Sequence, residues 1–98
     1  MTYSELTRSH QMVLVEFYAS WCPHCQRMMP VVEQVKERLA GRVAVVQLDI
    51  DENQQYAAEA GADQIPVFIL YRDGKEVWRR TGETDLEALL ADIERHIV

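Results

Sequence analysis

Cys22 and Cys25 are the only cysteines in the chain, and two residues separate them. That spacing suits reversible thiol–disulfide chemistry, because a second thiol one helical turn further on can attack a mixed disulfide formed by the first and release the partner. The run Ser20-Trp21-Cys22-Pro23-His24-Cys25 lies where an apolar stretch gives way to a helical pattern. A helix N-terminus offers unpaired N–H groups and a partial positive charge, both of which stabilise a thiolate. Attack is therefore assigned to Cys22 and resolution to Cys25. Two other uses compete. A structural disulfide over so short a loop gives little entropic stabilisation, and a zinc site wants four ligands where only His10, His24 and His96 join the cysteines as obvious candidates. Both are minor readings, so no metal and no organic cofactor is expected. Next to the thiols, Pro23 and His24 are candidate redox-tuning residues, since an adjacent imidazole alters the energy of a thiolate. An exposed helical histidine without a role is the plain alternative. Trp21 fits both packing and a partner-facing aromatic surface.

The elements that must hold this pair follow from periodicity. Met12 to Tyr18 (MVLVEFY) is apolar on both alternating faces, which suits a central strand covered on each side. Glu16 is its one misfit, six residues before Cys22. It is either a polar residue on a partly open strand or a buried acceptor for the Cys25 proton, and the second reading is favoured because resolution requires that thiol to ionise. From Pro23 to Ala40, Met28, Val32, Val35 and Leu39 recur at helical spacing before Gly41, with Pro30 expected to kink the helix. Val43 to Ile50 reads as a second buried strand and Asn53 to Ala60 as a short helix closed by Gly61. Val67 to Tyr71 and Glu76 to Arg80 flank Asp73-Gly74, a hairpin dipeptide. Leu86, Leu89, Leu90, Ile93 and Ile97 trace a final amphipathic helix with Thr84 as N-cap. Met1 to Gln11 fits a short helix or a loosely docked arm, and Tyr71 and Trp78 read as packing residues.

With 98 residues and 48% hydrophobic content, one domain over 1–98 is expected. The formal charge of −6 and pI near 4.9 argue against nucleic acid and anionic membranes as partners. No stretch approaches the roughly 18 apolar residues of a membrane span, and Met1 to Met12 is too polar for a signal-peptide core. A cytoplasmic location is the expectation.

Over nearly its whole length the chain resembles the thioredoxin family. The run from Val15 to Cys25, Pro30 inside the following helix, Ile65-Pro66-Val67, Asp73-Gly74 and Gly82 carry the resemblance in order. It implies an α/β fold with a central mixed sheet of about four strands flanked by helices on both faces. It also implies a cis-proline loop at Ile65, Pro66 and Val67 that faces the cysteines and, with Trp21, binds substrate. The implied activity is reduction of protein disulfides by dithiol exchange, with protein thiols and disulfides as partners and a further redox partner that resets the pair. Three features depart from the family's pattern. Pro23-His24 replaces the usual Gly-Pro and looks like the dipeptide of bacterial periplasmic oxidants. Gln47 stands where the family has a lysine near its buried acid. Only eleven residues precede the first strong strand, so the family's leading strand is expected to be absent. The alternatives are a disulfide oxidase or isomerase of an oxidising compartment, or a non-catalytic binding module of the same fold.

Overall fold

In the computed structural model, which describes residues 1–97, the elements run α1 (Tyr3–Thr7), β1 (Met12–Tyr18), α2 (Pro23–Leu39), β2 (Ala44–Asp49), α3 (Gln54–Ala60), β3 (Val67–Arg72), β4 (Lys75–Thr81) and α4 (Leu86–Glu94). Val98, the last residue of the expected domain, lies outside the described residues. The four strands form one sheet in the order β2-β1-β3-β4. The β1–β2 pair is parallel, whereas β1–β3 and β3–β4 are antiparallel. The expected mixed four-stranded sheet is present, and no strand precedes β1 among the described residues.

Both faces of β1 are buried because its side chains alternate between two apolar layers. Val13, Val15 and Phe17 pack with Tyr3 of α1 and with Ala57 and Ala60 of α3. Met12 and Leu14 meet Met28, Val32, Val35 and Leu39 of α2 and Leu89, Leu90 and Ile93 of α4. The helical stripe read in α2 is thus its buried face, and the helix continues through exposed Pro30 to Leu39. At the β3–β4 turn Asp73 and Gly74 both have positive φ, 51° and 81°, as a two-residue hairpin turn requires.

Three expectations change in detail. β2 is half-buried along its whole length rather than fully buried, because it is the outermost strand. Asp85, not Thr84, caps α4, its Oδ1 accepting from the Ala88 amide at 2.8 Å. Ile97 lies beyond the helix, whose end gives way to i-to-i+3 bonds from His96 to Ile93 and from Ile97 to Glu94. Ile97 nevertheless packs on the α2–α4 layer. No helix among the described residues is long and apolar enough to cross a membrane.

Of the two readings of the N-terminus, the structure has the helix. A reciprocal capping box starts α1: the Glu5 amide donates to Thr2 Oγ1 at 3.0 Å, and the Thr2 amide donates to Glu5 Oε1 at 2.7 Å. A five-residue helix cannot stand alone. Its anchor is Tyr3, 6% exposed, whose hydroxyl lies 2.7 Å from that of buried Tyr71 on β3. Tyr3→Phe keeps the ring and leaves the Tyr71 hydroxyl without this partner, so urea unfolding is expected to show a loss of about 1 kcal/mol. No measurable loss would mean that the hydroxyl pair adds nothing to the docking of α1.

Candidate active site

The chain leaves β1 at Tyr18 and must reverse its character within four residues to begin α2. Buried Ala19 accepts from the Cys22 amide at 3.2 Å, and the Gln26 side chain donates to the Ser20 carbonyl at 2.8 Å. Cys22 keeps an extended backbone (φ −92°, ψ 113°) as N-cap, and Pro23 takes the first helical position, where its fixed φ is preorganised and no amide is lost. The Cys25 amide then donates to Cys22 Sγ at 3.3 Å. The thiol does what a serine or aspartate does at other helix starts. Both sulfurs are free of a disulfide, and Cys22 and Cys25 are 4% and 1% exposed. Burial pushes the Cys25 thiol well above the ordinary thiol range, and the Cys22 sulfur adds to the rise.

Behind the pair, Glu16 on β1 is completely buried. Gln47, opposite it on β2, donates to Oε1 at 3.0 Å, while Oε2 has no partner among the described residues. Burial raises this acid to about 7, against the lowering influence of the Gln47 amide. A carboxyl that titrates near neutrality can take up a proton and give it back. Its charged form also disfavours ionisation of Cys25, a weaker influence than burial of the thiol itself.

The second wall is the Ile65–Pro66 loop, whose peptide bond is cis. Ile65 packs against Ala19, Cys22 and Cys25. Pro66 is buried, and its carbonyl accepts from the Gly82 amide at 2.8 Å. Val67, also buried, opens β3. Gly82 has φ +94°, the left-handed region that favours glycine. On the other side Trp21 is 63% exposed while its indole N–H donates to Asp51 at 2.8 Å, so a broad ring stands on the surface in a fixed pose.

These contacts bring Cys22, Cys25 and Ile65 together, with Trp21 beside Cys22 in the chain and Glu16 near enough to influence the Cys25 thiol. His24 is turned differently. Its Nδ1 lies 2.6 Å from Glu83 Oε2, and Arg27 clamps the same carboxylate through Nε at 3.0 Å and Nη2 at 2.7 Å. Among the described residues no hydrogen bond joins His24 to Cys22. Arg27 first and His24 second hold the Glu83 carboxyl down to about 2. Glu83, Gln64, Ile65, Thr81, Gly82 and His24 line an open groove of about 690 Å³ beside the thiols. Sequence reasoning missed Glu83 and Arg27. The Cys-x-x-x-x-Arg spacing places Arg27 one turn beyond His24, but nothing local marks a carboxylate 59 residues away.

The sequence profile of the Thioredoxin family matches residues 2–95. The chain belongs to the thioredoxin family. It is 40% identical over 85 residues to a thioredoxin of Chlamydia muridarum, covering 87% of this chain and 82% of that one. It is 35% identical over 89 residues to the chloroplastic thioredoxin Y of Oryza sativa, covering 91% of this chain and 53% of that longer protein. Among solved structures, a mutant thioredoxin of Halobacterium salinarum superimposes with a TM-score of 0.86 at 37% identity, over 97% of this chain and 82% of that one. As a member of this family, the protein is a thiol–disulfide oxidoreductase that acts on protein disulfides through a cysteine pair.

The buried acid makes stability depend on pH. With the folded-state value raised from 4.5 to about 7, the folded protein retains a proton that the unfolded chain gives up. This contribution is full below the unfolded value and is lost as pH rises through the folded one. Glu16→Gln, neutral throughout, escapes that loss. Guanidinium unfolding at about pH 5 and pH 8 is expected to show the variant gaining on the parent by on the order of 2 kcal/mol, at about 1.4 kcal/mol per pKa unit. A difference independent of pH would show that Glu16 titrates as an ordinary carboxyl.

Proposed function

We propose that the domain over residues 1–98 reduces protein disulfides with Cys22 as attacking thiolate, Cys25 as resolving thiol and Glu16 as acceptor of the Cys25 proton. The observation that carries this reading is the Cys22 sulfur at the head of α2, 3.3 Å from the Cys25 amide and backed by a fully buried carboxyl. Cys22 attacks one sulfur of the substrate disulfide, and the other leaves as a thiolate that takes up a proton. Glu16 then accepts the proton of Cys25. The new thiolate attacks Cys22, the second substrate thiol departs, and the Cys22–Cys25 disulfide remains. Two electrons pass to the substrate in each cycle.

Pro23 and His24 adjust the energy of the Cys22 thiolate, while Trp21, Ile65, Pro66 and Val67 form the surface that receives the substrate chain. The exposed Trp21 ring and the open groove beside Ile65 support that assignment. A separate reductase or small dithiol returns two electrons to the pair. That reductive direction fits a cytoplasmic setting, where thiols are kept reduced. Only the Pro23-His24 dipeptide favours the opposite, oxidising direction. The reduction potential discriminates between them, since thioredoxin lies at about −270 mV and the strongest periplasmic oxidant at about −120 mV.

Cys22→Ser is expected to abolish insulin-disulfide reduction. Cys25→Ser should still attack and then remain bound to its substrate through Cys22. Mass spectrometry of complexes formed with a disulfide-containing protein reads this directly. A stable adduct through Cys25 in the Cys22→Ser variant, with none in the reverse variant, would exchange the two roles.

A further inference from the structure

His24, Arg27 and Glu83 form a charged cluster at the mouth of the redox site that the catalytic cycle does not use. Two of its members belong to the first two turns of α2, and the third follows Gly82 in the loop between β4 and α4. The loop is held in register by the Gly82 amide on the Pro66 carbonyl, so Glu83 arrives beside the cysteine helix through the same bond that fixes the proline loop. Both carboxylate oxygens are taken. Arg27 Nε donates to Oε1 at 3.0 Å, and Oε2 receives Arg27 Nη2 at 2.7 Å and His24 Nδ1 at 2.6 Å. The same ring nitrogen also lies 3.0 Å from Arg27 Nη2, so imidazole, guanidinium and carboxylate form one three-way contact. His24 is thus held through Nδ1.

The helix start already carries a partial positive charge, and the Arg27 guanidinium adds to it. Unopposed, this cation stabilises the Cys22 thiolate and hence the reduced form, which makes the disulfide more oxidising. We infer that Glu83 is a positioning residue that keeps the cysteine pair reducing, by neutralising Arg27 and tethering His24 through Nδ1. The inference rests on Cys22 being the attacking thiolate. Arg27 is held in its charged form first by its hydrogen bonds to Glu83 and, more weakly, by the Cys22 sulfur, and that last attraction acts equally on the thiolate. The side chains of His24, Arg27 and Glu83 are 62%, 57% and 36% exposed, so the influence is screened and modest.

Glutathione equilibration at pH 7 measures it: two glutathione thiols and the Cys22–Cys25 disulfide exchange with one glutathione disulfide and the dithiol. Glu83→Gln keeps the size and the acceptor oxygen but removes the charge. It is expected to shift this equilibrium about threefold toward the protein dithiol, or about 15 mV, since tenfold corresponds to about 30 mV. Glu83→Asp, which keeps the charge, should stay within about twofold of the parent. Most of the Glu83→Gln shift should vanish in an Arg27→Gln background and in 1 M potassium chloride, where the screening length falls to about 3 Å. No shift with Glu83→Gln, a shift toward the disulfide, or a shift that survives both salt and loss of Arg27 would overturn the inference. A parent pair that forms no internal disulfide at any glutathione ratio would instead remove the dithiol reading on which it rests.

Discussion

At the head of α2 the Cys25 amide donates to the Cys22 sulfur, and this bond both starts the helix and positions the chemistry. Pro23 cannot supply an amide, so the cap depends on the N–H two residues later. Stabilising negative charge on Cys22 therefore strengthens the helix cap, and forming a disulfide withdraws the same acceptor. The pair remains buried in either role, held between Ala19 and Ile65.

The cap needs a rigid floor, and β1 supplies it at a cost in local polarity. Every residue from Met12 to Phe17 is buried, including Glu16, whose Oε2 has no partner among the described residues. An isolated ionised carboxylate in such a place is strongly disfavoured, and the group responds by holding its proton to higher pH. Gln47 limits that response without abolishing it, because an amide donates one hydrogen bond but brings no charge. The same register that pairs Glu16 with Gln47 on β2 sets it against Phe68 on β3. Polarity is thus tolerated on one side only.

Local patterns made much of this legible. A short run apolar on both faces identified β1, helical spacing identified the buried faces of α2 and α4, and the Asp73-Gly74 dipeptide identified the hairpin, because each is a relation among near neighbours. Burial of β2 was overestimated from its apolar composition, since it has only one neighbouring strand. The capping residue of α4 was misplaced by one position, since Thr84 and Asp85 are both good caps and the choice depends on which side chain reaches the Ala88 amide. The docking of Tyr3 could not be read locally, because its hydroxyl partner lies 68 residues away.

The cysteine site divides along the same line. Its two sulfurs come from residues three apart at one strand-to-helix junction, and their closeness could be read directly. Its electrostatic surroundings come from three segments joined only by the sheet: α2 brings His24 and Arg27, the loop before β3 brings Pro66, and the loop after β4 brings Glu83. The order β1-β3-β4 carries the chain outward across the sheet. The Gly82–Pro66 bond then turns the outermost connection back toward the cysteines, with Gly82 in the left-handed region. A sequence dipeptide such as Pro23-His24 therefore has no fixed electrostatic meaning by itself. The imidazole it introduces lies against a carboxylate delivered by the far end of the sheet.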